Sequence, residues 1–245
     1  MITAVAEWLV IVFICRRRRY ETDMWMIPLL GTVAGVETIE AGMWLFGDLE
    51  NWSDRQSEGC SATNSLLTKA VWVLLRTQLW AFMFAFRNIG REDNRVRYEF
   101  LEVISVAWCI VPVVLMLDSL LGLEPWLQRV DFDGVSVHGR EFCTYITSYI
   151  HWVVPAPVGD HGWPTTFSIW PNNFLYFIFL LIGAVWHRPF LEVGLPVLWG
   201  ICVFVALGAW LNSASAYSVW CWSGVSVFPY YVLAPPLLGF KTLKT

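Results

Sequence analysis

Apolar residues fall in long unbroken runs along this chain, separated by short polar or charged punctuation. Seven such runs stand out, at about residues 1–15, 24–46, 66–86, 101–121, 167–186, 191–211 and 217–240. They lack the period-two alternation of strands and are too long for single strands, so each reads as a helix. A spanning helix needs about 20 apolar residues to cross a hydrocarbon core of about 30 Å. Six runs meet that length; the first is short and holds Glu7 near its middle. The pattern predicts an all-α fold, a single domain over residues 1–245. It is a polytopic transmembrane bundle of seven spans with an outer loop at about residues 122–166. If the first run does not span, six spans remain and the N-terminus moves inside.

Direction comes from Lys and Arg, which are in excess on cytoplasmic loops. Arg16 to Arg19 follow the first run, which is the reverse of the order in a cleaved signal peptide. Placing them inside also places Arg87, Arg91, Arg95, Arg97, Arg188, Lys241 and Lys244 inside. Arg55, Lys69, Arg129 and Arg140 then lie outside, and Arg76 lies within the third run. The split predicts an outer N-terminus and an inner C-terminus.

Composition strengthens this picture. Hydrophobic residues make up 57% of the 245 and charged residues 15%, with a mean hydropathy of +0.54. Soluble domains hold roughly 45–50% apolar and about 25% charged residues. Sixteen tryptophans suit the aromatic belts of a membrane interface. A net charge of −4 without a basic patch excludes a nucleic-acid partner. The partners implied are the lipid bilayer and other membrane proteins or a second copy.

Chemistry is sought first among the costly polar residues. An ionisable group at the bilayer centre costs about 2.5–3.5 kcal/mol on insertion scales and marks a functional position by default. The second run carries Glu37 and Glu40, one turn apart on one face, with Gly31, Gly35 and Gly42 on nearly the opposite face. That run is therefore expected at the centre of the bundle. Arg76 and Gln78 in the third run are expected to meet it, with a Glu37–Arg76 pair at mid-depth. Glu7 is a third carboxylate without an obvious partner. These five residues form the expected binding site, for a cation or proton. Their structural alternative is ion pairing or hydrogen-bonded, protonated carboxyls.

Outside the membrane, Asn51-Trp52-Ser53 fits a glycosylation sequon. Cys60, Cys143 and Cys221 lie near the outer face, where a disulfide between two of them is permitted in an oxidising compartment. His138, His151, Asp160 and His161 match no metal-ligand spacing, and no metal is expected. Residues Tyr145 to Val154 are expected to form a short cap or interfacial helix. Pro229, Pro235 and Pro236 should kink or shorten the last helix. No nucleophile elbow, zincin or cofactor motif occurs, nor a lysine in mid-run seven for a retinal Schiff base, so neither an enzyme nor a cofactor is expected.

Several short features resemble an uncharacterised family of multi-pass proteins associated with algae, related protists and large DNA viruses. They are Glu40 with the run to Phe46, Cys60-Ser61-Ala62-Thr63-Asn64, Gln78, His151-Trp152-Val153-Val154-Pro155 and Trp220-Cys221-Trp222. Leu79 stands where the family pattern has a proline. The resemblance implies a shared fold of about seven helices and no mechanism. On the residues alone, a transporter or channel for a small solute or ion comes first. A non-catalytic subunit of a membrane assembly comes second, and a receptor or sensor third.

Overall fold

The computed structural model describes residues 2–49, 61–90, 92–121, 127–128, 143–146, 150–153, 156–157, 178–208 and 223–243. Of these, 72, 76, 108, 111–121, 127–128, 143–146, 150–153, 156–157 and 207–208 are described by backbone alone. Asn51, Cys60 and Cys221 lie outside the described residues, as does the side chain of Cys143.

The fold is all-α. Helix α1 spans Ile2–Arg17, α2 Glu21–Trp25, α3 Ile27–Phe46, α4 Ala62–Asn88 and α5 Glu92–Leu121. Residues 178–186 form α6, followed by α7 (Gly194–Gly208) and α8 (Phe228–Leu238). Helix α3 is the one described helix both long and apolar enough to cross a membrane; Gly194–Ala206 and Ser223–Leu238 are shorter apolar helices. Helices α4 and α5 have 27 and 30 residues, longer than the apolar runs inside them. At α5 the extra turns carry Glu92 and Asp93 at the N-terminus, where the helix dipole favours acidic groups. Helix α1 has 16 residues, about 24 Å at 1.5 Å rise.

The last helix is short, as expected from its prolines: Pro229 sits in its first turn and Gly239 closes it in the left-handed conformation. Two differences from the sequence reading have local causes. The second run is split at Met26, where Pro28 fits the first turn of a new helix, α3, because its missing N–H is harmless there. The other is a correction. Residues Cys143–Ile146 (β2) and Ile150–Val153 (β3) form an antiparallel hairpin, not a helix. Their density of β-branched and aromatic residues favours a pleated strand. A second, two-residue ladder pairs Leu127–Gln128 (β1) with Ala156–Pro157 (β4).

Helix α3 lies between α1 and α4. A Cβ on Gly35 would come within 2.9 Å of Leu74 on α4, and one on Gly42 within 3.9 Å of Leu67. The glycine face thus lets α4 approach closely, as small residues do in membrane bundles. On the other side Trp8 Nε1 donates to Thr38 Oγ1 at 3.0 Å, and Thr3 Oγ1 reaches Glu37 at 3.5 Å. Gly35 and Gly42 thus face α4 while Glu37 faces α1, as expected of the second run; Gly31, expected on the same close-packed face, has nothing within 4 Å.

The main buried cluster includes Ile14, Met26, Val36, Met43, Leu79, Met83, Phe86, Tyr98 and Leu180, and a smaller one holds Tyr20, Ala234 and Phe240. Outside it, large apolar side chains are exposed on nearly every helix, among them Leu9 and Phe13 on α1, Phe46 on α3, Phe100 and Val103 on α5, Val205 on α7 and Leu237 on α8. Among the described residues, fifteen polar or charged ones are buried.

Candidate functional site

Two groups of buried polar residues are distinct in kind. The first closes one end of the bundle. It joins the α1–α2 connection, the α4–α5 turn, the α6–α7 turn and the segment after α8. Arg17 sits at its centre. Its guanidinium holds Asp23 through Nε at 3.0 and 3.1 Å and through Nη2. It also donates to the carbonyls of Tyr231 at 2.7 Å and Val232 at 2.8 Å. Those carbonyls need an outside donor, because Pro235 and Pro236 lack the N–H groups that would reach them four residues back. Asp23 accepts further bonds from the backbone N–H of Arg19 and Tyr20.

The rest of this polar end is equally tied. Lys241 Nζ pairs with Glu21 at 2.7 Å and donates to Gly90 O at 2.8 Å, while Glu21 accepts from Gly90 N at 3.0 Å. Glu192 accepts from Lys241 N. Residues 241–243 pair in antiparallel fashion with 19–21 through Tyr20 and Thr242. Gly90 has φ +93°, and a Cβ there would lie 2.3 Å from Arg188 O, so the turn accepts only glycine. Asn94 Nδ2 donates to Ile89 O and Arg188 O, both at 2.8 Å. Arg87 pairs with Glu102 at 2.6 Å. Tyr98 donates to Gly183 O, and burial pushes its phenol up to about 12.

His187 completes this end. Its ring is fully buried, with Nδ1 3.0 Å from Pro189 O and Nε2 3.0 Å from Ile89 O. Asn94 Nδ2 lies 3.3 Å from Nε2. Burial lowers its pKa to about 4, against the two carbonyl contacts that raise it, and Arg188 lowers it further. Burial therefore favours the neutral ring at pH 7, whose single N–H can serve one of the two carbonyl contacts, Pro189 O or Ile89 O.

The second group lies between the helices. Glu7 on α1 is 2% exposed and Glu37 on α3 is 6% exposed, and the two carboxyl groups are near enough to interact electrostatically. Among the described residues, Glu7 has no hydrogen-bond donor on either oxygen and Glu37 has none on Oε1; its Oε2 faces Thr3. Glu40, one turn along α3, is buried at 3%. Of the five residues expected to form one site, the structure brings Glu7 and Glu37 together. The side chain of Arg76 lies outside the described residues, and Glu37 meets Thr3 and the field of Glu7 on α1.

Gln78 lies elsewhere. With Met26, Leu29, Leu30, Val33, Phe82, Pro196, Val197, Gly200, Ser223, Gly224, Val227 and Tyr231 it lines a cavity between α3, α4, α7 and α8. The cavity has about 460 Å³ of unfilled space, its mouth included. Val33 precedes Glu37 by one turn on the same face of α3, so the cavity lies beside the carboxylates along that helix. Sequence reasoning missed Tyr231, Ser223, the Arg17–Asp23 pair and the His187–Asn94 contact. One signal was present: adjacent prolines at 235 and 236 demand a donor for the carbonyls of 231 and 232. Among the described residues, no group of three or more His, Cys, Asp or Glu is placed to hold a metal ion. No known protein family, curated protein or solved structure matches the chain.

Proposed function

We propose that this chain is a multi-pass integral membrane protein of seven up-and-down spans, N-terminus outside, that transports or conducts a small solute or ion. Glu7 and Glu37 hold the cation, which is a proton or a monovalent ion shared between them. Two features support the membrane reading. Large apolar side chains face outward on nearly every described helix, as the lipid-facing surface of a bundle requires. The four connections expected on the inner side all meet in one polar end, as alternating spans require.

The observation that carries the transport reading is the carboxyl pair. Two ionised carboxylates within electrostatic reach of each other in a low-dielectric interior repel, and among the described residues Glu7 accepts no hydrogen bond to offset its burial. A bound cation or shared proton removes both costs. Such a group exchanges its cation only if water reaches it in some state of the cycle, which is what alternating access supplies. The inner connections, bonded to each other, leave little surface for a cytoplasmic partner and weigh against a receptor.

The test is flux in proteoliposomes. A potassium gradient with valinomycin sets the voltage, and an entrapped pH dye reads proton entry. Glu7→Gln and Glu37→Gln should each lower the rate at least about tenfold, since each removes a group the cation binds. If the wild-type protein moves neither protons nor alkali cations above empty liposomes, transport is wrong and the subunit reading takes its place. Protection of an N-terminal tag from outside would overturn the seven-span topology.

A further inference from the structure

Four consecutive arginines stand at the C-terminal end of α1, and the fold uses one of them differently from the rest. Arg17 is engaged by Asp23 and by two carbonyls of α8. Arg16, Arg18 and Arg19 are exposed, and among the described residues none of the three pairs with a carboxylate. The acidic groups nearest in sequence are already committed, Asp23 to Arg17 and Glu21 to Lys241. Arg19 rests its guanidinium 5.7 Å from the centre of the Tyr20 ring.

The face of α1 that leads up to Arg16 is apolar. Val5, Leu9 and Val12 are exposed, and the steps 5, 9, 12 and 16 keep to one stripe of a helix. Val5 and Arg16 are eleven residues apart, about 16 Å at 1.5 Å rise. That is close to half of a hydrocarbon core of about 30 Å, the depth of one leaflet. The exposed arginines of α5 have other surroundings. Arg97 lies 3.8 Å from Asp93, and Arg95 is followed by Glu99 and Glu102 at the spacing of one face.

We propose that the stripe of α1 and the three arginines at its end form a docking surface for an anionic phospholipid of the inner leaflet. An acyl chain lies along Val5, Leu9 and Val12, and the phosphate meets Arg16, Arg18 and Arg19. The proposal rests on the membrane-spanning reading, and it does not require that Glu7 and Glu37 carry a cation. Charge complementarity argues for this occupant: three neighbouring guanidinium groups repel one another, and among the described residues no carboxylate offsets them. A guanidinium fork holds a phosphate through two parallel hydrogen bonds. Each basic residue near an anionic leaflet strengthens binding about fivefold.

Native mass spectrometry of the purified full chain in mild detergent tests this, with dioleoyl phosphatidylglycerol and dioleoyl phosphatidylcholine as probes. The two share their chains and differ in charge. Phosphatidylglycerol should bind at least about tenfold more tightly. Arg16→Gln with Arg18→Asn and Arg19→Gln, which leaves Arg17 in place, should bring it to the level of phosphatidylcholine. Asn is chosen at 18 because that residue has φ +37°, which Asn tolerates. Arg16→Gln alone should cost about fivefold and keeps the test open if the triple variant unfolds. Arg95→Gln with Arg97→Gln should change phosphatidylglycerol binding less than twofold. Equal binding of the two lipids, or a triple variant that binds like wild type, would overturn the proposal. So would an α5 variant that loses as much as the triple one, since the attraction would then be spread over the whole end. Glycerol phosphate, added at the concentration of the lipid, should not compete; competition would reveal a site for soluble phosphates instead. A chain that stays in solution without detergent would defeat the membrane reading itself, whereas one that needs detergent and prefers neither lipid defeats only this inference.

Discussion

The polar end of the bundle and the carboxyl pair in its middle are made of similar residues and behave oppositely. At the polar end Asp23 is buried, yet a guanidinium and two backbone N–H groups surround it. In the middle Glu7 is as deeply buried, and neither of its oxygens accepts a bond. The difference separates two reasons for burying charge. A paired, fully bonded group fixes geometry, and losing one partner exposes the full cost of the other. An unbonded group has no such structural return and calls for another explanation, which under the proposed function is a bound cation. Orphan atoms also occur at the polar end, on Thr22, Asn94 and Glu192. There, other atoms of Asn94 and Glu192 are tied to the backbone.

The sharpest way to break the comparison is at Arg17. Arg17→Met leaves Asp23 buried with its charge unpaired and strips the donors from the Tyr231 and Val232 carbonyls. A loss of about 3–5 kcal/mol is expected, read as unfolding in mild detergent against added denaturing detergent. Arg17→Lys should recover less than half of it, because one ammonium cannot hold a carboxylate side-on and reach two carbonyls. An Arg17→Met protein as stable as wild type would show that the polar end is not what holds the helix ends together.

A smaller effect belongs to His187, and pH reveals it. In the unfolded chain the ring takes a proton below its ordinary value of 6.5, whereas the folded ring does so only near 4. Between those values the unfolded state binds more protons, so stability falls as pH drops from 6.5 to 4. The window is worth at most about 3 kcal/mol. Above it the contribution is complete and flat. Replacing His187 with Gln should flatten the slope of stability against pH in this window. A slope unchanged by that variant would mean the ring is not held neutral by the fold.

How far the sequence foretold these features follows from how local each one is. Helix identity and the opposed glycine and carboxylate faces of α3 depend on spacing within one segment, so Gly35, Gly42 and Glu37 were readable. The packing of α1 against Glu37 was not. Depth counting brought Arg76 to the level of Glu37, but which face of α1 meets α3 is decided by tertiary packing, and Glu7 was read without a direction. The polar end was hidden for the same reason. Arg17 lay in a run of four arginines that served only to set orientation, and nothing local distinguishes it from Arg16 or Arg18. Its role appears only when α8 is placed against it, with two prolines having freed the carbonyls it binds. The hairpin of β2 and β3 was missed because a ten-residue apolar run was read by length, while its β-branched content carried the opposite signal.

The smallest stability change is expected where the functional claim is largest. Glu7→Gln and Glu37→Gln replace a carboxyl by an uncharged group of nearly the same shape. At the polar end such a change would remove a needed charge; here it removes a desolvation cost that the fold does not offset. Each variant should therefore unfold at or slightly above the wild-type midpoint, with a gain of about 0–1 kcal/mol, the pattern of sites that trade stability for activity. The double variant should gain least beyond either single one, because removing one carboxylate already relieves the repulsion on the other. The measurement is the same detergent titration used for Arg17→Met, run at pH 7. A loss of several kcal/mol for Glu37→Gln would place that carboxylate with Asp23, as a structural group whose partner lies beyond α1, and the transport reading would lose its central residue.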